Sequence, residues 1–447
     1  MDDEISAQLF ELIKEDQVDG VAEIIESNID PNESFNSIPE GNLCFGILPI
    51  PFLNVACSYG AVNTVNYLIE IGASPDMVDG NGNTAFIAAA SSGNTDIGNI
   101  LLSNGSSLDE KNLNNVTALH IAAQYGNTQF CDSILQCAGI EAINLLNFKD
   151  SEYQTPIFYS AYKNQLETTE YLCSVGADCR TLDINGNSVI HVAIQNGAIE
   201  IAMKLLQNTQ FPINIINHKK MTVLLEAALT GNLELFTLIV SKGANPFVLD
   251  IHNDNIVILA AISGNYFLLD YILVQGGFNL DHQNDYGYTA LHYAAAYGPL
   301  NNVKRLIAAG CHSINNNNSG WCPIHLAIKH QHADIVEYML HLPDLNPTLT
   351  APGFLTSLHL AARIPNYNIL NMILQTNNYD TNIPDSIGWS ALHYAASKGS
   401  LKMIQLLLGA KGDPHSPDNE GRTVYDILRA RGSTKILNFV LKNYPEN

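Results

Sequence analysis

The segments TALHIAAQYG (Thr117–Gly126), TALHYAAAYG (Thr289–Gly298) and SALHYAASKG (Ser390–Gly399) are near copies of one another, with TAFIAAASSG from Thr84 and SVIHVAIQNG from Ser188 as looser versions. Their third, apolar position defines a register: Leu53, Phe86, Leu119, Ile157, Ile190, Leu224, Val257, Leu291, Ile324, Leu358, Leu392 and Tyr425. Successive members are 33 or 34 residues apart, except for one interval of 38. A register kept along most of a chain is the mark of a repeat architecture.

Each unit carries the same physical content. Small residues such as Ala122-Ala123 and Ala294-Ala295 follow the key position; they cost little entropy in a helix and let a neighbouring helix approach closely. Seven residues past the key position stands a Gly in most units (Gly60, Gly93, Gly126, Gly298 and Gly399 among them), which predicts a left-handed helix stop. Asn164, Gln331 and Pro365 occupy that place elsewhere, and altered turns are expected at Gln331 and Pro365. A second apolar helix follows, as in TVNYLIEIG (Thr64–Gly72), and then a polar turn such as DGNGNT, DINGNS or DNEGRT. Neither helix can bury its apolar face alone, so stability must come from stacking on the next unit.

These segments resemble the ankyrin repeat family, whose units read D-x-x-G-x-T-P-L-H-x-A-A-x-x-G, then a second helix and G-A-D/N. TALHIAAQYG, TALHYAAAYG and SALHYAASKG carry the first half of that pattern, and GASPD (Gly72–Asp76), GADCR and GANPF the second; the Pro of T-P-L is present only at Pro156 and Pro323. The resemblance covers about residues 50 to 440. It implies an all-α solenoid of about 12 to 13 helix–turn–helix units joined by short hairpin loops, ~120 Å long at the usual helix-layer spacing. High Asn and Ile with little Arg also looks like the large ankyrin families of protists. The family's usual role is recognition of another protein, through a concave face formed by hairpin tips and first helices.

The organisation expected is an acidic capping helix pair over 1–40, an apolar insertion loop over 41–50, continuous repeats over 51–417 and a capping repeat over 418–447. The apolar stretch LCFGILPIPFL (Leu43–Leu53) reads either as a loop folded over the first repeat or as a docking element or flap. A second insertion lies around EAINLLNFKD, before Thr155.

Composition narrows the function classes. Of 447 residues, 46% are apolar and 15% charged, against roughly a quarter charged in an ordinary soluble protein. The net charge of -23 is graded: residues 1–40 carry -11, residues 41–300 carry -14 and residues 301–447 carry +2. That balance argues against nucleic acid, whose phosphates need a surplus of Lys and Arg, and against an anionic membrane surface. It suits a partner protein whose basic surface faces the acidic N-terminal half. The acidic start, sparse cysteines and short apolar runs point to a cytoplasmic, monomeric protein.

Histidines invite a metal or catalytic reading, and the register removes it. His120, His191, His292, His325, His359 and His393 share one slot on successive units, about 10 Å apart by helix packing. Zinc ligands must converge to about 2 Å from one ion, so these histidines are expected to be structural. H-E-x-x-H, G-x-S-x-G and G-x-x-x-x-G-K motifs are all lacking, and no catalytic, cofactor or metal site is expected. Binding residues are sought instead in the slot just before the T/S/C helix start, expected to be free of core duty. It holds Asn83, Val116, Gln154, Asn187, Met221 and Asp254, then Tyr288, Trp321, Leu355 and Trp389, with Tyr286, Tyr297 and Phe354 nearby. Such aromatic side chains carry much of the energy of protein interfaces. The expected function is a non-catalytic scaffold or adaptor; the alternative is an inhibitor or effector that occludes an enzyme with the same surface.

Overall fold

The computed structural model describes residues 3–27, 29–37, 45–208, 211–343, 345–346, 349–376 and 378–446. Residues 38–44, which belong to the expected N-terminal segment and apolar insertion, lie outside the described residues. The fold is an all-α solenoid of repeated helix–turn–helix units, and the chain divides into two compact parts. Unit 1 comprises Met1–Glu226 with Thr237–Ala244, and unit 2 comprises Ala227–Phe236 with Asn245–Asn447.

Local chemistry sets the ends of each first helix. In Ala290–Tyr297 the N-cap is Thr289, whose hydroxyl lies 2.9 Å from His292 Nδ1. The Thr289 N–H donates to the same nitrogen at 3.1 Å, so orphan polar groups at the helix start are satisfied reciprocally. The other end is a left-handed residue in most repeats, such as Gly126 (φ 78°), whose N–H returns to Ala122 and Ala123. Asn164 (φ 58°) takes this conformation, and so does Gln331 (φ 65°), against expectation: the turn geometry outweighs the side chain's preference. Gly298 is the opposite correction. It is extended (φ -86°, ψ 167°), because the following Pro299 disfavours other conformations. At Pro365 the turn is altered, with Ile364 extended before it.

In unit 1 the first helices Phe52–Tyr59, Ala85–Ser92, Ala118–Tyr125, Pro156–Tyr162 and Val189–Gln195 stack in chain order, through Ala-rich faces that are almost wholly buried. Asp3–Lys14 and Val18–Ile25 form a pair that packs Leu9, Phe10 and Ile13 onto the first stack. An aromatic cluster joins them: Phe10 to Phe35 at 5.3 Å and Phe35 to Phe52 at 4.7 Å. The insertion before Thr155 forms a 3-10 turn (Gly139–Glu141) and a short helix (Ala142–Leu146), which bury Leu145 and Leu146. In unit 2, Ile256–Ser263, Ala290–Tyr297, Pro323–Lys329, Ser357–Arg363, Ala391–Lys398 and Val424–Ala430 stack likewise.

The six repeated histidines lie inside these stacks. His120 Nδ1 accepts from the Thr117 N–H (3.2 Å) and hydroxyl (2.8 Å), so the proton sits on Nε2, which donates to Gln154 O of the next repeat at 3.2 Å. His191 reaches Met221 O, His292 reaches Trp321 O and His359 reaches Trp389 O in the same way. At His325 a thiol, Cys322 Sγ, takes the hydroxyl's place 3.1 Å from Nδ1, and His393 pairs with Ser390. Where the register has Asn54 instead, its Nδ2 donates to Asn83 O at 2.8 Å, replacing the imidazole.

Burial pushes His120, His191, His292 and His325 down to about 4 from an ordinary 6.5, and lowers His359 and His393 too. Between those two pH values the unfolded chain binds more protons than the folded one. Stability from this source is therefore complete above about pH 6.5 and is lost as the pH falls towards 4. Urea midpoints are expected to hold steady above that window and decline through it. In a His120→Gln/His292→Gln variant the decline should be shallower; a midpoint equally steep with and without those histidines would refute the assignment.

Candidate protein-interaction face

The face formed by turns and first helices is built on one side-chain acceptor per repeat. Asp385 Oδ1 accepts from the Ile387 and Trp389 N–H groups, both at 2.9 Å, while its own N–H donates to Trp389 O. Asp79, Asn112, Asp150, Asp183 and Asn217 in unit 1 close their turns in this way, as do Asn284, Asn317 and Asp418 in unit 2. Two repeats depart from this: in the first, Gly46 stands seven residues before Leu53 and Ser34–Phe35 pairs antiparallel with Ile50–Pro51; the second is the repeat of Leu358. Ala351 stands where the acceptor would be, and Thr350–Ala351 pairs antiparallel with Leu355–Thr356 around Gly353 (φ 77°) and Phe354 (φ 60°).

Turn tips are then linked from repeat to repeat. Leu113 N donates to Asn81 O, Ser151 N to Asn114 O and Ile184 N to Glu152 O in unit 1; Asn318 N donates to Tyr286 O and Asn419 N to Ile387 O in unit 2. Side-chain amides add rungs: Asn112 to Asn83, Asn217 to Asn187 and Asn284 to Asp254, at 2.8 to 2.9 Å.

On this frame the aromatic slot of unit 2 proves to be half-buried, not free of structural duty. Its main-chain groups close the turn and receive the histidines, which fixes each Cα and turns the side chain partly inward. Tyr288 lies against His292 (5.5 Å) and Tyr293 (5.2 Å). Trp321 meets His325 edge-on, with the Lys329 ammonium 5.0 Å above its ring. Trp389 stacks on His393 and donates from Nε1 to Asp418 Oδ2 at 2.9 Å. Leu355, only 8% exposed, belongs to the core and presents little to a partner. The neighbours are the open ones: Tyr286 is 57% exposed, Tyr297 64% and Phe354 66%. Tyr297 lies 4.9 Å from His330, which stacks on His332.

The sequence reading missed the turn acceptors and the phenols that reach them. Tyr159 donates to Asp150 (2.7 Å), Tyr394 donates to Asp385 (2.6 Å), and Tyr293 lies 3.1 Å from Asn284 Nδ2. A Tyr nine residues after the turn Asp or Asn was the available signal. Burial, with the Asp385 carboxylate, pushes Tyr394 up to about 12. Asp418 is opposed by burial, yet hydrogen bonds from Arg422 and Trp389 hold its carboxyl well below the usual range. The repeated imidazoles have their Nδ1 lone pair engaged, so they offer a metal nothing. Among the described residues, no group of three or more His, Cys, Asp or Glu could hold a metal, and no helix is long and apolar enough to cross a membrane.

Comparison with known proteins agrees with this geometry. A family description, "Ankyrin repeats (3 copies)", matches residues 53–145, 89–183, 140–215, 157–250, 257–350 and 358–447. The nuclear factor NF-kappa-B p105 subunit of Gallus gallus is 27% identical over 240 residues, 52% of this chain and 21% of that protein. The human transient receptor potential cation channel subfamily A member 1 is 25% identical over 291 residues, 63% of this chain and 26% of that protein. The mouse B-cell lymphoma 3 protein homolog is 26% identical over 186 residues, 41% of this chain and 42% of that protein. The chain thus spans less than half the length of each of these relatives. With matches over most of its length and the repeat stacking seen in both units, the chain belongs to the ankyrin repeat family.

Proposed function

We propose that this chain is a non-catalytic scaffold or adaptor that binds a partner protein through the turn-and-first-helix face of unit 2. Ankyrin repeats generally mediate protein–protein interactions, and one observation supports this particular surface. Tyr286, Tyr297 and Phe354 stand exposed beside the half-buried Tyr288, Trp321 and Trp389, on a backbone held by the turn acceptors. Rigid aromatic side chains on a fixed frame lose little entropy on binding. Lys329 over Trp321 and Arg363 over Tyr394 supply a cationic rim. The kinship with protist families rests on Asn-rich, Arg-poor composition alone. A cytoplasmic site suits the seven free cysteines among the described residues, with the Cys173 and Cys179 sulfurs hydrogen-bonded at 3.4 Å and not joined in a disulfide.

The test separates recognition from structure. Tyr286→Ala and Trp321→Ala are expected to weaken capture of the native partner by roughly tenfold or more, the size of a hot-spot loss, with little change in melting temperature. Trp389→Ala should lower that temperature, because it removes the bond to Asp418. If Tyr286→Ala and Trp321→Ala leave capture intact, or destabilise as a core truncation does, the surface is not the binding site.

The charge gradient supports a second expectation. Residues 1–300 carry -25, so a basic partner should associate faster at low ionic strength and progressively slower as salt rises. Stopped-flow association measured from low to physiological salt checks this; an on-rate indifferent to salt would sink the idea of a basic partner.

A further inference from the structure

The glycines that follow the second helices, Gly72, Gly105, Gly176 and Gly243, have a characteristic pair of neighbours, three residues before and three after. The pair is Ile69 and Pro75, Leu102 and Leu108, or Val240 and Pro246, apolar in each case. Around Gly176 both places are cysteine, Cys173 and Cys179. Cys173 lies in the last turn of the helix Leu166–Ser174, and Gly176 (φ 104°) folds the chain back so that the two sulfurs meet at 3.4 Å. A disulfide holds its sulfurs about 2.0 Å apart, so closure asks for a further approach of roughly 1.4 Å, which side-chain rotation can supply.

The surroundings set the two sulfurs apart from each other and from the other thiols. Both line a cavity of about 300 Å³ in unit 1, bordered by the helices Leu166–Ser174 and Ile199–Asn208. The charges of its lining, Glu170 and Lys204, are paired with each other at 3.1 Å, and Leu166, Ile201 and Leu205 supply apolar walls. In the neutral pair Cys179 Sγ donates to Ala177 O at 3.6 Å. A hydrogen bond from Cys173, with the Arg180 guanidinium, lowers the Cys179 pKa against the opposition of burial and Asp178. The same bond, burial and the Glu170 charge raise that of Cys173. Elsewhere burial pushes Cys131 and Cys311 up to about 12 and Cys322 up to about 11, and raises Cys57 too. Thiols held protonated in this way are poor nucleophiles.

We propose that Cys173 and Cys179 form a site of reversible oxidation whose substrate is a small peroxide. The Cys179 thiolate attacks one oxygen of hydrogen peroxide: an S–O bond forms, the O–O bond breaks and hydroxide leaves. The Cys173 sulfur then attacks Cys179 Sγ. An S–S bond forms, the S–O bond breaks, and the Cys173 proton departs with the hydroxyl group as water. In all, the two thiols lose two electrons and two protons, and the peroxide is reduced to two waters. A dithiol reductant returns the electrons by thiol–disulfide exchange. The bond turns a packing contact of the repeat into a covalent tie between the second helix and the turn that follows it. The site is independent of the aromatic surface proposed for unit 2.

Trypsin cuts after Lys163 and Arg180, which leaves both thiols in the peptide 164–180. The disulfide is therefore read by mass as the loss of two hydrogens. The full chain is treated with hydrogen peroxide at neutral pH, sampled over time and quenched by alkylation, with the exposed Cys137 as internal reference. The peptide is expected to lose its hydrogens at least about tenfold faster than Cys137 is oxidised, because a lowered pKa and a resolving partner favour this thiol. Dithiothreitol should restore them. In Cys173→Ser, oxidation should stop at a Cys179 sulfenic acid that dimedone captures; in Cys179→Ser, Cys173 should react no faster than Cys137. Equal rates at the peptide and at Cys137, disulfides that join either cysteine to another chain, or dimedone capture at Cys173 in place of Cys179 would overturn the proposal. The wild-type rates decide the matter even where a serine variant fails to fold.

Discussion

One carboxylate or amide oxygen per repeat, the Oδ1 of the turn Asp or Asn, is what the rest of the structure hangs on. By accepting two N–H groups, from the residues two and four further on, it closes the turn without a strand partner. The slot carbonyl is thereby aimed inward with two lone pairs to offer. In Trp321 one receives the N–H of Asn317 and the other the Nε2–H of His292 from the preceding repeat. The histidine can reach it because its own Nδ1 is fixed by the N-cap. Turn, cap and neighbouring repeat are therefore one hydrogen-bonded circuit, and loss of any member leaves buried polar groups unsatisfied.

That circuit decides what the face can do. Much of its main chain is consumed internally: the tips bond to the next tips, and the slots bond to the acceptors and, at Gln154, Met221, Trp321 and Trp389, to imidazoles. A partner must then be recognised by side chains at the tips and on the first helices. The tips differ between the units. Asn81, Asn114, Glu152 and Asn185 of unit 1 are polar, whereas unit 2 sets the exposed Tyr286 and Ile387 among the polar His252, Ser319 and Glu420.

How much of this could be read in the sequence follows from which forces are periodic. Helix pairs, alanine faces and most glycine stops recur every 33 or 34 residues because every repeat must stack, so the fold was legible. Gln331 and Gly298 were not, since one is governed by the turn around it and the other by Pro299. The slot residues looked free because their side chains vary. What stays constant there is the main chain, and a peptide N–H or carbonyl leaves no letter in a sequence. Leu355 looked free for the same reason and is buried, as Val116 and Met221 are in the same slot of repeats that keep the acceptor. The Asp or Asn nine residues before Tyr159, Tyr293 and Tyr394 was visible but carried no meaning until the turn geometry gave it one.

Phe45 shows the same limit from the other side. Composition marks its neighbourhood as apolar, which reads first as a cover over the first repeat and second as a docking element. The choice turns on Asp79 and Gly80, more than thirty residues away. In the repeats beyond, the second oxygen of the turn acid is taken up inside the fold, by Tyr159 at Asp150, Asn187 at Asp183 and Tyr394 at Asp385. At Asp79 it serves both Asn83 and an N–H delivered by a segment from outside the turn. The Gly80 N–H, which donates to Ile47 O, repeats the rung made by Leu113, Ser151 and Ile184, so the apolar segment enters the ladder as its first turn, and the fold itself accounts for its place.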